Sequence, residues 1–275
     1  MNLLHSLLVV AGVTAVTVTS MLLVRRRAPA GSFFSDGDRA SGVFGVLATG
    51  FSVLLGFIIF LAFQAYDDTR AGAETEAAVV FQMVQTAQLM PAGSSKELTG
   101  ELVCYGRSVV GTEWDAVARG GDQDSINPWG AKMFITVAAL QPKTSTEQSA
   151  YDRWMEQTAD RQQARNDRVH TAQGIIPAPL WLGLYLICAV IFAYLLFFAD
   201  SAERALTQAV LMGSVTVVIT VLMLLLGFFD NPHGDGLGQL KPTEMERSLR
   251  IIDAQLNALG LTDTAPCDER GNATG

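Results

Sequence analysis

Five small or hydroxyl-bearing residues, Ser41, Gly45, Thr49, Ser52 and Gly56, follow one another at spacings of three and four along the apolar run GVFGVLATGFSVLLGFIIFLAFQAY, which begins at Gly42. That spacing places them on one side of a helix. Inside a membrane such a stripe has two uses. It lets other helices pack closely, or it presents hydroxyls and bare backbone to a wet path in an oligomer. Gln64, Asp67 and Asp68 close the run. Repeated around a symmetric oligomer they form acidic rings at a pore mouth, which favour cations; in one copy they are the solvated start of a helical arm. A third group, Arg161, Arg165 and Arg168, shares one side of a later helix. It either draws anions or pairs with Glu74, Glu76 and Glu113. Surface ion pairing, which contributes little stability, is the plainer of these readings.

Other chemistries find no support. His5, His170 and His233 are far apart, and no H-E-x-x-H spacing occurs, so no metal site is expected. Phosphate loops, dinucleotide fingerprints and nucleophile elbows are missing from the sequence. No catalytic constellation points to an enzyme, and no cofactor is implied. The apolar runs carry no charge, which removes a proton relay or voltage sensor. The formal net charge of -8 repels nucleic acid and concentrates cations, so nucleic acid is excluded as a partner. Of three cysteines, Cys188 lies in an apolar run and reads as inert packing. Cys104 and Cys267 lie in polar segments, where a bridge would tie the tail to the middle of the chain. Their spacing alone does not show proximity.

The elements that must hold these residues are helices. Four apolar blocks, Leu3 to Val24, Val43 to Phe63, Pro179 to Phe198 and Leu206 to Phe229, each approach the length needed to cross a bilayer, about 20 residues. The expected architecture is an all-α integral membrane protein: four transmembrane helices, with an extramembrane helical bundle inserted between spans two and three. The divisions are 1–66 (two spans and a basic loop), 67–175 (the helical module), 176–229 (two spans) and 230–275 (a tail with one amphipathic helix and a disordered end). The first block is a retained helix rather than a signal peptide, since Arg25, Arg26 and Arg27 follow its apolar run instead of preceding it. With Arg39 they make the first loop cytoplasmic. Module and tail then lie on the external, periplasmic side of a multi-pass protein of the inner (plasma) membrane.

Within the module the first arm shows Ala73, Ala77, Val80, Val84 and Ala87 at helical spacing, and Pro91-Ala92-Gly93 ends it. A second helix, capped by Ser94 or Ser95, runs to about Ala118. A third spans Trp129 to Leu140 and a fourth Ser145 to Ala172. The tail helix, about Pro242 to Leu259, needs a partner for Met245, Leu249, Ile252, Leu256 and Leu259. Residues 262–275 are small and polar and read as disordered.

The segment LLGFIIFLAFQAYDDTRAGAETEA, the pair Glu113-Trp114, Arg161 with Arg165, the Pro-x-Pro-Leu-Trp start of span three and FFDNPHGDG after span four together resemble the bestrophin-like domain family of bacterial membrane proteins. The resemblance covers roughly Gly42 to Leu259, and His233 stands where a Phe is expected. It implies kinship with bestrophins, pentameric anion channels whose second membrane helix lines the pore. By that analogy Ile58, Phe60 or Phe63 forms an apolar neck. The function that follows is an oligomeric passive ion channel, a pentamer by analogy, with the lipid bilayer, inorganic ions and further copies of itself as partners. The alternative is a non-conducting envelope scaffold that binds a partner.

Overall fold

The computed structural model describes residues 3–121, 127–171, 174–234, 236–261 and 265–274. Ala172, the expected end of the fourth helix, and residues 262–264, the start of the end expected to be disordered, lie outside them. Among the described residues nine α-helices and one π-helical turn make the architecture, with no strand and only an isolated bridge between Cys267 and Ala273. The chain forms two compact units.

The first unit comprises residues 1–65, 174–231 and 235–239. It holds α1 (Leu3–Arg25), the first part of α2 (Gly37–Ala87), α7 (Ala178–Phe197) and α8 (Ala205–Asp230). These four helices are the ones long and apolar enough to cross a membrane. Their core takes Phe51, Leu55, Ile58 and Ala62 from α2, Leu184, Cys188 and Ile191 from α7, and Ile219 and Leu226 from α8. α1 lies on α8, where the Thr17 and Thr216 hydroxyls are 3.0 Å apart. A hydroxyl pair of this kind is a common means of joining helices where no water competes. At one end, the α7–α8 turn captures the α1–α2 loop. Asp200 accepts from the amides of Gly31 at 2.9 Å and Ala202 at 2.8 Å, and Phe34 packs among Tyr194, Phe197 and Phe198. At the other end, Asp230 accepts from Ile175 N, Ile176 N and Trp181 Nε1, which fixes the approach to α7 after Gly174.

The second unit comprises residues 66–173, 232–234 and 240–275. It holds the rest of α2, then α3 (Ala92–Ser108), the π turn (Val109–Glu113), α4 (Trp114–Ala118), α5 (Pro128–Ala138), α6 (Ser145–Val169) and α9 (Thr243–Ala258). Local chemistry sets most boundaries. α6 opens on a full capping box, Thr144 with Glu147, and α5 on Asn127, whose side chain accepts from Trp129 N ahead of Pro128. α3 begins at Ala92, directly after Pro91, so the expected caps Ser94 and Ser95 lie inside the helix. The amphipathic face of α9 joins the core through Met245, Ile252 and Leu256 beside Leu98, Leu102 and Tyr105.

The chain end differs from the expectation of disorder. Cys267 is bonded to Cys104 on α3, and Trp129 Nε1 donates to Gly271 O at 2.7 Å. Gly271 has φ +79°, and a Cβ there would collide with the Ser108 backbone. Among the contacts that hold the tail are one sulfur, one carbonyl and a missing side chain, none of which registers as hydrophobicity.

Candidate functional site

Two sets of residues are candidates for chemistry: the small stripe of α2 in the first unit and the arginine face of α6 in the second. In the first unit Ser41, Gly45, Thr49, Ser52 and Gly56 are all exposed within the single chain. Nothing lies within 4 Å of a Cβ built at Gly45 or Gly56. Ser52 and Gly56 line a groove of about 370 Å³ against α8, whose other walls include Phe51, Leu55, Ser214, Val215 and Val218. The Ser52 hydroxyl donates back to Ala48 O at 2.8 Å, so in the single chain it is satisfied by its own helix. Ile58 is buried in the helix core, at 6% exposure, and takes a packing position. Phe60 is exposed, and Phe63 is exposed with its ring edge-on to Phe229 at 5.5 Å. Gln64, Asp67 and Asp68 are exposed. Asp68 lines an open groove of the second unit with Gly72, Thr75, Asp160, Asp167 and His170.

In the second unit the arginine face of α6 turns inward. Arg161, Arg165 and Arg168 are all buried, which corrects the expectation of surface ion pairs. Close helix approach makes this geometry. At Gly72 a Cβ would sit 2.8–2.9 Å from Arg168 N, Ala164 O and Asp167 Cβ, so α2 and α6 touch backbone to backbone and Glu76, one turn on, reaches Arg168. Arg168 Nε donates to Glu76 Oε2 at 2.5 Å, and its Nη2 to Glu113 Oε1 at 2.6 Å. Arg165 Nε donates to the same Glu113 oxygen at 3.0 Å. The π turn that ends at Glu113 shifts the helical phase at this point; such turns recur where a side chain must be re-aimed. Glu74, the third expected partner, is exposed and pairs with Arg70 instead.

The electrostatics are those of a closed network. Burial pushes the Glu113 carboxyl up, but the Arg168 and Arg165 guanidiniums outweigh it and hold the group below its ordinary value. Burial likewise opposes the Arg168 charge, and Glu76 and Glu113 more than restore it. Tyr105 donates to Glu76 Oε1 at 2.5 Å; burial, then the Glu76 charge, keeps its phenol protonated far above the usual range. Asn127 Nδ2 completes Glu113 at 2.9 Å. His233 is buried edge-on to Trp114 with a centroid distance of 5.3 Å, and neither ring nitrogen has a partner among the described residues. Burial first, and then the Arg168 charge, lowers it to about 4. Cys104 of α3 and Cys267 of the tail are joined, with a Cα–Cα distance of 5.7 Å. No group of three or more His, Cys, Asp or Glu among the described residues is arranged to hold a metal.

Sequence reasoning did not find His233, Tyr105 or Asn127 as members of this network. Only the Glu113-Trp114 pair and FFDNPHGDG, quoted for their family resemblance, pointed near them.

Four helices of membrane-spanning length and composition, in a chain whose second unit is also helical, define the class of all-helical membrane proteins. The sequence narrows the class: a Bestrophin-like domain matches residues 11–238, and the chain belongs to that family. No curated protein matches significantly. Among solved structures the fold is similar to that of a bacterial bestrophin homologue from Klebsiella pneumoniae, with TM-score 0.69 and 14% identity over 88% of this chain and 98% of that one. Another variant of that homologue gives TM-score 0.67 and 13% identity over 94% and 98%. A crystal structure described only as a membrane protein gives TM-score 0.68 and 12% identity over 88% and 98%. The protein is thus a bestrophin-like membrane protein, with the fold shared at low identity.

Proposed function

We propose that the protein is a passive ion channel, a homo-oligomer in which the first part of α2 lines the pore. The observation that carries this reading is the state of α2 in the single chain. Its stripe of small and hydroxyl residues is open, and Phe60, Phe63 and Asp67 extend the same face at spacings of four, three and four. A helix that turns glycines, hydroxyls and then aromatic rings toward open space is suited to a wet path that narrows to an apolar neck. Ile58, being buried, supports the wall rather than forming it. Gln64, Asp67 and Asp68 form the mouth, and their charge favours cations. The family kinship favours a channel and a pentamer. The disulfide supports placing the second unit outside the cytoplasm, where such bonds persist. The multi-pass inner-membrane topology follows from that placement and from the arginines of the first loop.

The test is current through the purified protein in a planar bilayer with asymmetric KCl. A reproducible conductance is expected, and the sign of the reversal potential reports whether cations or anions pass. Silence across voltage, pH and calcium, from folded and oligomeric protein, would replace the channel with a non-conducting scaffold. The exposed α2 stripe would then be a surface for helix packing between copies.

A further inference from the structure

The three guanidiniums of α6 are not treated alike. Arg165 and Arg168 each bond a carboxylate, whereas Arg161, only 4% exposed, bonds none. Among the described residues its Nε has no acceptor, and the contact that compensates its charge is the Tyr105 ring, 4.5 Å from Cζ. Around it two buried carboxylates, Glu76 and Glu113, face three buried guanidiniums. The next buried carboxylate, Glu101, is served by Thr136 and Lys132 instead. Arginine is a permanent cation, so among the described residues the cluster carries one positive charge without a carboxylate to balance it, which is costly in a low-dielectric interior.

That charge lines a cavity of about 120 Å³ in the second unit, between α5 and α6 and beside Met83 of α2. Met83, Met133, Val137 and Phe134 make it apolar, and Tyr151 and Trp154, which also line it, each carry one neutral hydrogen-bond donor. Gly130 opens the space next to the cation: a Cβ there would lie 3.3 Å from Arg161 Nη1.

We propose that this cavity is a binding site for a short-chain monocarboxylate, with Arg161 as the carboxylate anchor. A guanidinium's planar fork matches a planar oxyanion better than a spherical ion. The apolar wall takes an alkyl tail and disfavours strongly hydrated anions. An apolar cavity of about 150 Å³ can hold benzene, so the volume suits roughly five or six heavy atoms, the size of propionate or butyrate. The site does not depend on conduction, since it lies wholly within the second unit and is read by equilibrium binding.

The experiment is calorimetric titration of the purified full-length protein with sodium butyrate, using neutral butyramide as the control ligand. Saturable butyrate binding without butyramide binding is expected. Arg161→Gln should weaken it by about 10-fold or more, the loss of a charge-assisted hydrogen-bond pair. Gly130→Ala crowds the guanidinium at a helical position where alanine is favourable, so the fold should persist while butyrate affinity falls. If Arg161→Gln fails to fold, Gly130→Ala decides alone. Equal affinity for butyrate and butyramide, unchanged affinity in Gly130→Ala, or no saturable binding of acetate, propionate or butyrate to folded wild-type protein would overturn the assignment.

Discussion

Between Gly37 and Ala65, α2 leaves Val46, Val53, Phe57 and Phe60 exposed, at 77%, 68%, 59% and 54%. From Tyr66 to Ala87 the same helix buries Thr69, Glu76, Val80, Met83 and Val84 at 0%. One half is completed by its own chain: packed side chains, a backbone contact at Gly72 and a paired carboxylate. The other half is completed only by lipid or by further copies, because exposed apolar surface on this scale is not tolerated in water. The lesson is that a single chain can contain the whole answer for one part of a helix and half of it for another. Stability should therefore be decided in the second unit and activity in the first.

The largest effect should come from breaking the closed half. Replacing Arg168 with Leu leaves Glu76 and Glu113 short of a partner and should cost about 3–5 kcal/mol, read as a fall in the denaturation midpoint. A loss below ~1 kcal/mol would mean that the network is wet and the two halves are less different than described. Removing the Cys104–Cys267 bond by Cys267→Ser should cost about 2–4 kcal/mol. Thermal melts with and without reductant check it, and Cys188→Ser should leave the difference between the two melts unchanged.

Acid should also act on the closed half. His233 has its folded value lowered from 6.5 to about 4. The unfolded state therefore binds the proton first. The neutral ring's contribution is complete above about pH 6.5 and is lost as pH falls toward 4, by up to about 3 kcal/mol. Glu113, lowered by Arg168 and Arg165 against its burial, contributes above its unfolded value of about 4.3 and loses that contribution below it. His233→Phe should flatten the stability profile between pH 6.5 and 4 and leave the more acidic limb in place. Unfolding midpoints across that range separate the two groups.

The smallest effect on stability should come from the open half. Gly56→Leu meets nothing within 4 Å, so the melt should move by less than about 0.5 kcal/mol while conductance is lost. A variant that melts normally and still conducts would remove α2's small stripe from the pore. One that fails to assemble would assign the stripe to contacts between copies.

Much of this contrast was legible in the sequence and some was not, for separable reasons. The four long helices follow from apolar length, a signal that survives without any partner, and the Gln64 to Asp68 transition marks where α2 changes surroundings. The shared face of Arg161, Arg165 and Arg168 follows from their spacing, and two of their three named partners, Glu76 and Glu113, are the ones that bond them. Their burial could not be read, because an arginine in a core looks the same in sequence as one in water. What sinks them is Gly72, 89 to 96 residues away in the chain, which lets α2 meet α6 backbone to backbone, and a π turn with no sequence signature. The tail was misread for a related reason: Cys267 and Gly271 hold it through position, not through bulk.

The Cys104–Cys267 bond has a mechanical consequence. It closes a covalent ring, 163 residues in separation, that contains α7 and α8. If the molecule is stretched by its two ends, force travels through the sulfur bridge and bypasses everything between. Both apolar helices stay slack while the remainder extends. At ~3.5 Å per residue the oxidised protein should unravel to a contour about 570 Å shorter than the reduced one. The last helices to be pulled from a bilayer would then be the pair that the bridge encloses.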